Sequence, residues 1–233
     1  MGMHIDLNSD LGEGCGHDEE LLPLLTSANI CCGFHAGNPD TAWQTLAAAA
    51  RLGVVVGAHP GFPDREHFGR REIDMPEDKV YRECLYQVGA LVALALAVGQ
   101  PLRYLKPHGA LYNMAGRNDR YARPIVAVAQ RLSLPLVGLP GSRMEAMAAG
   151  HCQFVAEGFA DRRYLPDGSL GPRSRPDSMI DNPAEAVDQV MRFIDEGRIQ
   201  TICVHGDNPQ ALAFVRGLRQ ALVDRGVTLR AFA

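Results

Sequence analysis

Short apolar runs alternate with longer amphipathic stretches along the whole chain of 233 residues. Residues 3–7 predict a first strand, followed by a glycine-rich loop. Asp18 then opens a helix with Glu19 and Glu20 in its first turn. Residues 27–32 form a second apolar run closed by Gly33, and Pro39 starts an alanine-rich helix that reaches Leu52. GVVVGAHPG is the clearest strand, because three consecutive valines suit a strand buried on both faces. A polar segment at 62–76 precedes a helical pattern at 77–99 that glycine ends. LRYLKPHGA predicts strand four, and Asn118 to Leu132 predicts a helix with Pro124 near its first turns. LPLVGLPGS predicts strand five, followed by a short helix at 144–149 and strand six at 152–156. A second polar loop covers 157–180, and Asn182-Pro183 caps a helix to Glu196. TICVHGDNP predicts strand seven, Pro209 starts the last helix, and 226–232 is one more strand-like run.

Strands alternating with helices imply parallel βα units. Seven or eight such units with no Pro/Gly/Ser-rich linker predict one distorted (β/α) TIM-like barrel domain over residues 1–233. An open doubly wound sheet is the alternative, and it would usually have fewer strands.

Composition narrows the function. Hydrophobic residues make up 46%, an ordinary globular share. The net charge of −4, from 23 basic and 27 acidic residues, with no dominant Lys/Arg run, argues against nucleic acid as a partner. The six cysteines form no C-x-x-C pair, and Cys31-Cys32 sits in an apolar run. Buried thiols in a reducing, cytoplasmic compartment are therefore expected. MGMHIDLNSD has no signal-peptide pattern and lacks the Ser/Thr of a myristoylation site. The most hydrophobic run, 88–99, is too short to span a bilayer, so no membrane partner is expected.

The candidate chemistry gathers at strand ends. GFHAG carries His35, GAHPG His59, KPHGA His108 and VHGDN His205. In a parallel barrel these ends share one face, where active sites are built. DLNSDLGEGCG brings Asp6, Asn8, Asp10 and Glu13 to the same face, with glycines that let backbone approach a ligand. A single strand-end histidine is most often a hydrogen-bonded structural residue; four in one topological position are harder to explain so. His4, His17, His67 and His151 lack that context.

Two chemistries fit. Histidines and carboxylates can hold a divalent metal that activates water. Alternatively, a carboxylate serves as general base while histidine or lysine stabilises negative charge. There is no H-E-x-x-H spacing, phosphate-binding glycine loop, G-x-G-x-x-G or G-x-S-x-G. Lys106, two before His108, suits a substrate carboxylate or phosphate, or an internal ion pair. The polar loops at 62–76 and 157–180 suit a lid or a solvated face.

Taken together, DLNSDLGEGCG, NICCGFHAGNPD, GVVVGAHPGFPD, HFGRRE, KPHGALYN, EGFADRRY and TICVHGDNP resemble the LamB/YcsF family. They occur in order from Asp6 to the last helix. The resemblance implies a distorted β/α barrel akin to polysaccharide and YdjC-type deacetylases. It also implies ATP-dependent opening of 5-oxo-L-proline, a lactam, to L-glutamate. Two partners are implied, 5-oxoprolinase subunits B and C, similar to the two halves of a urea-carboxylase-type amidolyase component. The motif positions are Asp6, Asn8, Asp10 and Glu13; His35; His59 and Asp64; Lys106 and His108; Asp161 and Arg162; and His205 and Asp207. Asp10, His59, His108 and Lys106 are read as catalytic and the others as substrate-binding.

The chain departs from the family pattern in three places. Asn38 stands where the second motif usually has Asp, and Ser9 where the first usually has Cys, which argues against that thiol as an essential nucleophile. EGRIQTICVHGD also runs almost directly from helix to strand, a shorter passage than usual and one that could touch a partner interface. Whether this chain or its partners hold ATP is open, as are a divalent metal and assembly with copies of itself. The competing readings are a metal-dependent deacetylase or amidohydrolase and a lactam-binding subunit without chemistry of its own.

Overall fold

The computed structural model describes residues 2–166, 168–171, 175–205 and 211–233. Eight strands and eight α-helices lie among them, with one helix between successive strands except for the two between the fourth and fifth. The strands are β1 (His4–Leu11), β2 (Ser27–Cys31), β3 (Val55–His59), β4 (Tyr104–Leu105), β5 (Leu136–Gly138), β6 (Phe154–Phe159), β7 (Thr201–Val204) and β8 (Thr228–Leu229). The helices are α1 (Asp18–Leu21), α2 (Pro39–Leu52), α3 (Glu77–Ala97), α4 (Gly109–Arg117), α5 (Asp119–Arg131), α6 (Arg143–Ala148), α7 (Pro183–Asp195) and α8 (Ala211–Asp224).

All strand pairings are parallel, and β1 through β7 close on themselves because β1 pairs with both β2 and β7. The result is a seven-stranded barrel, as the alternation of elements predicts. The eighth strand stays outside the ring. The carbonyls of Met3 and Ile5 accept from Thr228 and Arg230, and that of Leu7 from Thr26. Alternate carbonyls of a strand face one side, so β8 occupies the lower part of the same edge of β1 that β2 uses higher up.

Strand β1 is longer than its apolar run suggests. D-L-N-S-D-L has period two, which sends Ile5, Leu7 and Leu11 into the apolar core and Asp6, Asn8 and Asp10 into the barrel interior. Hence Asn8 and Asp10, like Asp6, lie on the strand and not on the glycine-rich loop. A further predicted boundary shifts. β6 continues through Glu157 to Phe159, so Glu157 is a strand residue and not the start of a loop. The segment after strand four is also helical: Tyr112 and Asn113 lie in α4, which Gly109 begins directly behind His108.

Helices cover the outside of the ring. Asn38 caps α2 by accepting from the Thr41 amide, while the Thr41 hydroxyl accepts from the Asn38 amide. Helix α3, with 21 residues, is long and apolar enough by length and composition to cross a membrane. The run at 88–99 is too short to suggest this. Val80, Cys84, Val88, Leu91 and Ala95 recur at helical spacing and are buried as α3 packs along α2 and α5. Trp43 on α2 is 44% exposed.

Candidate active site

The polar interior has two levels. At the lower one, Asp6 accepts from the hydroxyls of Thr26 at 2.6 Å, Ser27 at 2.8 Å and Thr201 at 2.5 Å. Asn8 sits one pleat higher. It donates to Thr201 Oγ1 at 2.6 Å and Glu157 Oε1 at 3.1 Å, and accepts from Asn29 at 2.7 Å. The Tyr104 hydroxyl donates to Asn29 Oδ1 at 2.8 Å. Period-two alternation on β1, β2 and β6 aims these side chains at one another across the barrel.

Lys106 marks the step to the upper level. Its ammonium lies 2.8 Å from Glu157 Oε1, 3.2 Å from Asp10 Oδ1 and 3.1 Å from Cys203 Sγ. Burial opposes its charge, but Asp10, Cys203 and Glu157 outweigh this and raise the amine well above its usual value. Burial likewise pushes the Asp10 carboxyl up, yet the facing His59 and Lys106 hold it well below the usual range. For Glu157 the balance falls the other way: burial prevails over Lys106, and its carboxyl is raised.

Three predicted histidines converge beside Asp10. His59 Nε2 is 3.2 Å from Asp10 Oδ2 and 2.9 Å from His108 Nδ1. His35 stacks on His108 with centroids 3.7 Å apart, and its Nε2 is 3.0 Å from Glu13 Oε1. Burial lowers His59, partly countered by Asp10. Burial, with His35 and His59, lowers His108 well below its usual value. Both rings are therefore favoured neutral.

The fourth histidine, His205, is oriented from a different strand end. Asp161 accepts from the His205 amide at 2.9 Å and faces its Nδ1 at 2.8 Å. Arg162 is buried and donates to the Gly171 carbonyl at 2.5 Å, which fixes the turn after β6. Asp64 is engaged outside this cluster. It holds His67 at 2.9 Å and the Arg71 amide at 3.3 Å, and so organises the segment after β3. Asp207 lies outside the described residues.

A cavity of about 720 Å³ opens above the upper level. Asp10, His59, Lys106, His108, Arg162 and His205 reach it, while Asp6, Asn8, Glu13, His35, Asp64 and Asp161 stand behind or beside it. Two groups of donors lie within reach of one ion: Glu13, His35, His59 and His108; and Asp10, Cys203 and His205.

The model of the LamB/YcsF family matches residues 5–233. The chain belongs to the LamB/YcsF family. It is 45% identical over 251 aligned positions to the 5-oxoprolinase A-subunit of Methylococcus capsulatus, covering 99% of this chain and 96% of that protein. It is similar in structure to the lactam utilization protein of Thermus thermophilus. The TM-score is 0.92 and the identity 44%, over 99% of this chain and 100% of that one. The peptidoglycan N-acetylglucosamine deacetylase domain of Eubacterium rectale shares the fold, with TM-score 0.58 and identity 13%, over 100% of this chain and 90% of that one.

Within this LamB/YcsF chain, sequence reading missed Glu157, Cys203 and Asn29 as members of the polar cluster. Their signal was faint. Asn29 and Cys203 sit inside apolar runs, and Glu157 follows one, where period two on a strand would have turned it inward. The two departures from the family motifs near the site have clear places. Asn38 is the cap of α2, and Ser9 is fully buried on β1.

Proposed function

We propose that this chain opens 5-oxo-L-proline to L-glutamate as one subunit of an ATP-dependent 5-oxoprolinase, a cytoplasmic assembly with subunits B and C. One observation carries the reading. At the floor of the cavity an ionised carboxylate, Asp10, stands within 3.2 Å of both a buried ammonium, Lys106, and a neutral imidazole, His59. Such a group suits water-mediated opening of a small cyclic amide.

In this mechanism Asp10 accepts a proton as water adds to the lactam carbonyl. In the same step Lys106 offsets the charge that develops on the carbonyl oxygen. The ring C–N bond then breaks, and the proton returns to the leaving nitrogen, which becomes the amino group of glutamate. A lactam amide is a poor electrophile. Transfer of the terminal phosphoryl group of ATP to the amide oxygen, releasing ADP, would activate the carbonyl carbon before water adds. Ring opening then leaves glutamate with its side-chain carboxyl phosphorylated, and a second water hydrolyses that acyl phosphate to glutamate and phosphate. Subunits B and C are assigned to that activation, since the sequence has no Gly-x-x-x-x-Gly-Lys phosphate loop.

The competing enzyme reading, a metal-dependent amidohydrolase or deacetylase, draws on the Glu13–histidine group. Release of glutamate from 5-oxoproline separates the two when measured with and without ATP and with and without subunits B and C. The expected result is release only with ATP and all three proteins. Equal release by the lone chain without ATP, or none by the full set, overturns the proposal.

A further inference from the structure

Gln87 is a polar side chain on the apolar face of α3. It falls between Cys84 and Leu91 at helical spacing, and it is fully buried. Burying an amide is costly unless its polar atoms find partners. Here the backbone of one residue supplies most of them. Gln87 Oε1 accepts from the Gly61 amide at 3.0 Å. Its Nε2 donates to the Gly61 carbonyl at 2.9 Å and to the Glu83 carbonyl at 3.2 Å. These partners also fix which way the side chain points, because a flipped amide would set donor against donor.

Gly61 carries that grip to the histidines. It stands two residues beyond His59, and a Cβ there would fall 2.6 Å from His35 Nδ1 and 3.3 Å from His108 Cβ. The preceding carbonyl, of Pro60, accepts from the His108 amide at 2.8 Å. Only glycine lets the backbone pass this close behind the stacked rings. The rotation of the rings is set elsewhere. His59 Nδ1 donates to the Lys106 carbonyl and His108 Nε2 to that of Phe68, each at 2.8 Å, since a carbonyl only accepts. Those bonds govern how the rings turn, and Gly61 governs how far back they can stand.

We propose that Gln87 is a positioning residue for the reaction. By gripping Gly61 it holds the His35–His108 stack against His59, with 2.9 Å between His108 Nδ1 and His59 Nε2. The same His59 nitrogen is 3.2 Å from Asp10 Oδ2, so the grip on Gly61 reaches the carboxylate at the cavity floor. Gln87 itself does not line the cavity and acts only through the backbone. The rival reading is that it merely satisfies a buried turn. In that case its loss would lower stability and leave the rings in place.

The proposal rests on the 5-oxoproline reading for its turnover measurements alone. Two variants of the full chain test it. Gln87→Met keeps the approximate shape and removes all three bonds. In the chain by itself it should shift the imidazole 15N resonances of His35 and His108 and leave those of His205 in place. With subunits B and C it should lower kcat per folded molecule at least about 10-fold, with KM within about twofold of the parent. Gln87→Glu keeps the grip only when the introduced carboxyl is protonated. Its O–H then donates to the Gly61 carbonyl while the other oxygen accepts from the amide. Burial raises such a carboxyl, so resonances and kcat should match the parent's near about pH 6 and depart from them as pH rises towards about 9. Unshifted His35 and His108 resonances in Gln87→Met overturn the proposal, as does a parent-like kcat in that variant. A Gln87→Glu chain whose difference from the parent is the same at every pH also overturns it, and this needs no folded Gln87→Met. Resonances that move as expected in a chain whose parent complex opens no 5-oxoproline uphold the positioning role and condemn the substrate reading, so the two fail separately.

Discussion

Asp6 and Asp10 are the same residue type on the same face of the same strand, two pleats apart, yet their surroundings treat them oppositely. Asp6 is wholly buried among three hydroxyl donors, and burial raises its carboxyl despite those bonds. Asp10 also meets a burial cost, but His59 and Lys106 overcome it and hold the carboxyl well below its usual range. Hydroxyls satisfy a carboxylate with short, local bonds and carry no net charge. The Lys106 ammonium brings a full charge that keeps it ionised and leaves it facing a cavity. The lower level is thus a closed hydrogen-bond network, and the upper level is an unbalanced set of charges held ready for a ligand.

The sharpest way to break this contrast is to remove the cation between the levels. Lys106→Met leaves Glu157 and Asp10 without their shared partner. Removing one member of a buried ion pair costs about 3–5 kcal/mol. Calorimetric melting should show a large drop, and an unchanged melting temperature would refute the description of Lys106 as the charge that holds both carboxylates.

Next come the variants that separate chemistry from folding. Asp10→Asn and His59→Ala should each lower turnover of the full complex by on the order of 10²-fold, while the protein still folds. Asp6→Asn should do the reverse. It disturbs bonds from Thr26, Ser27 and Thr201, at a cost of about 1–3 kcal/mol, and preserves turnover per folded molecule. Turnover measured beside melting for all three variants would expose any mixing of the two roles.

The smallest effect concerns Asp64, outside both levels. Burial pushes its carboxyl up, but the bond from His67 and the amide and charge of Arg71 outweigh this and lower it. A carboxyl lower in the folded than the unfolded chain stabilises the fold above the unfolded value of about 3.9. That contribution fades as pH falls through the lower folded value. Melting temperature should therefore decline more gently below about pH 4 in Asp64→Asn than in the parent. Equal slopes would remove Asp64 from the account of acid stability.

Much of this site was legible because βα repetition sends every strand end to one face. Residues as distant as Asp10, His59, Lys106, His108 and His205 could be grouped by position after an apolar run. The two levels were not legible. The apolar run suggested that β1 ended at Leu7, so Asn8 and Asp10 fell into a loop, where period-two alternation has no meaning. Helix α4 was hidden because Pro107 and Gly109 look like a turn, although proline and glycine also fit the entry to a helix that follows a strand directly. The carbonyls of Lys106 and Phe68 that set the histidine protons are backbone atoms, and residue identity says nothing about where they point.

The way the ring closes bears on how the protein is made. Strand β1 emerges from the ribosome before the other strands of the ring, but its partner β7 follows some 195 residues later, and β8 later still. Throughout synthesis the nascent chain therefore carries an unpaired edge on β1 and another on whichever strand was made last. Exposed edges recruit strands from other chains. Asp6, Asn8 and Asp10 place polar groups on that waiting strand, so the residues that later line the barrel also make its earliest segment a poor template for aggregation.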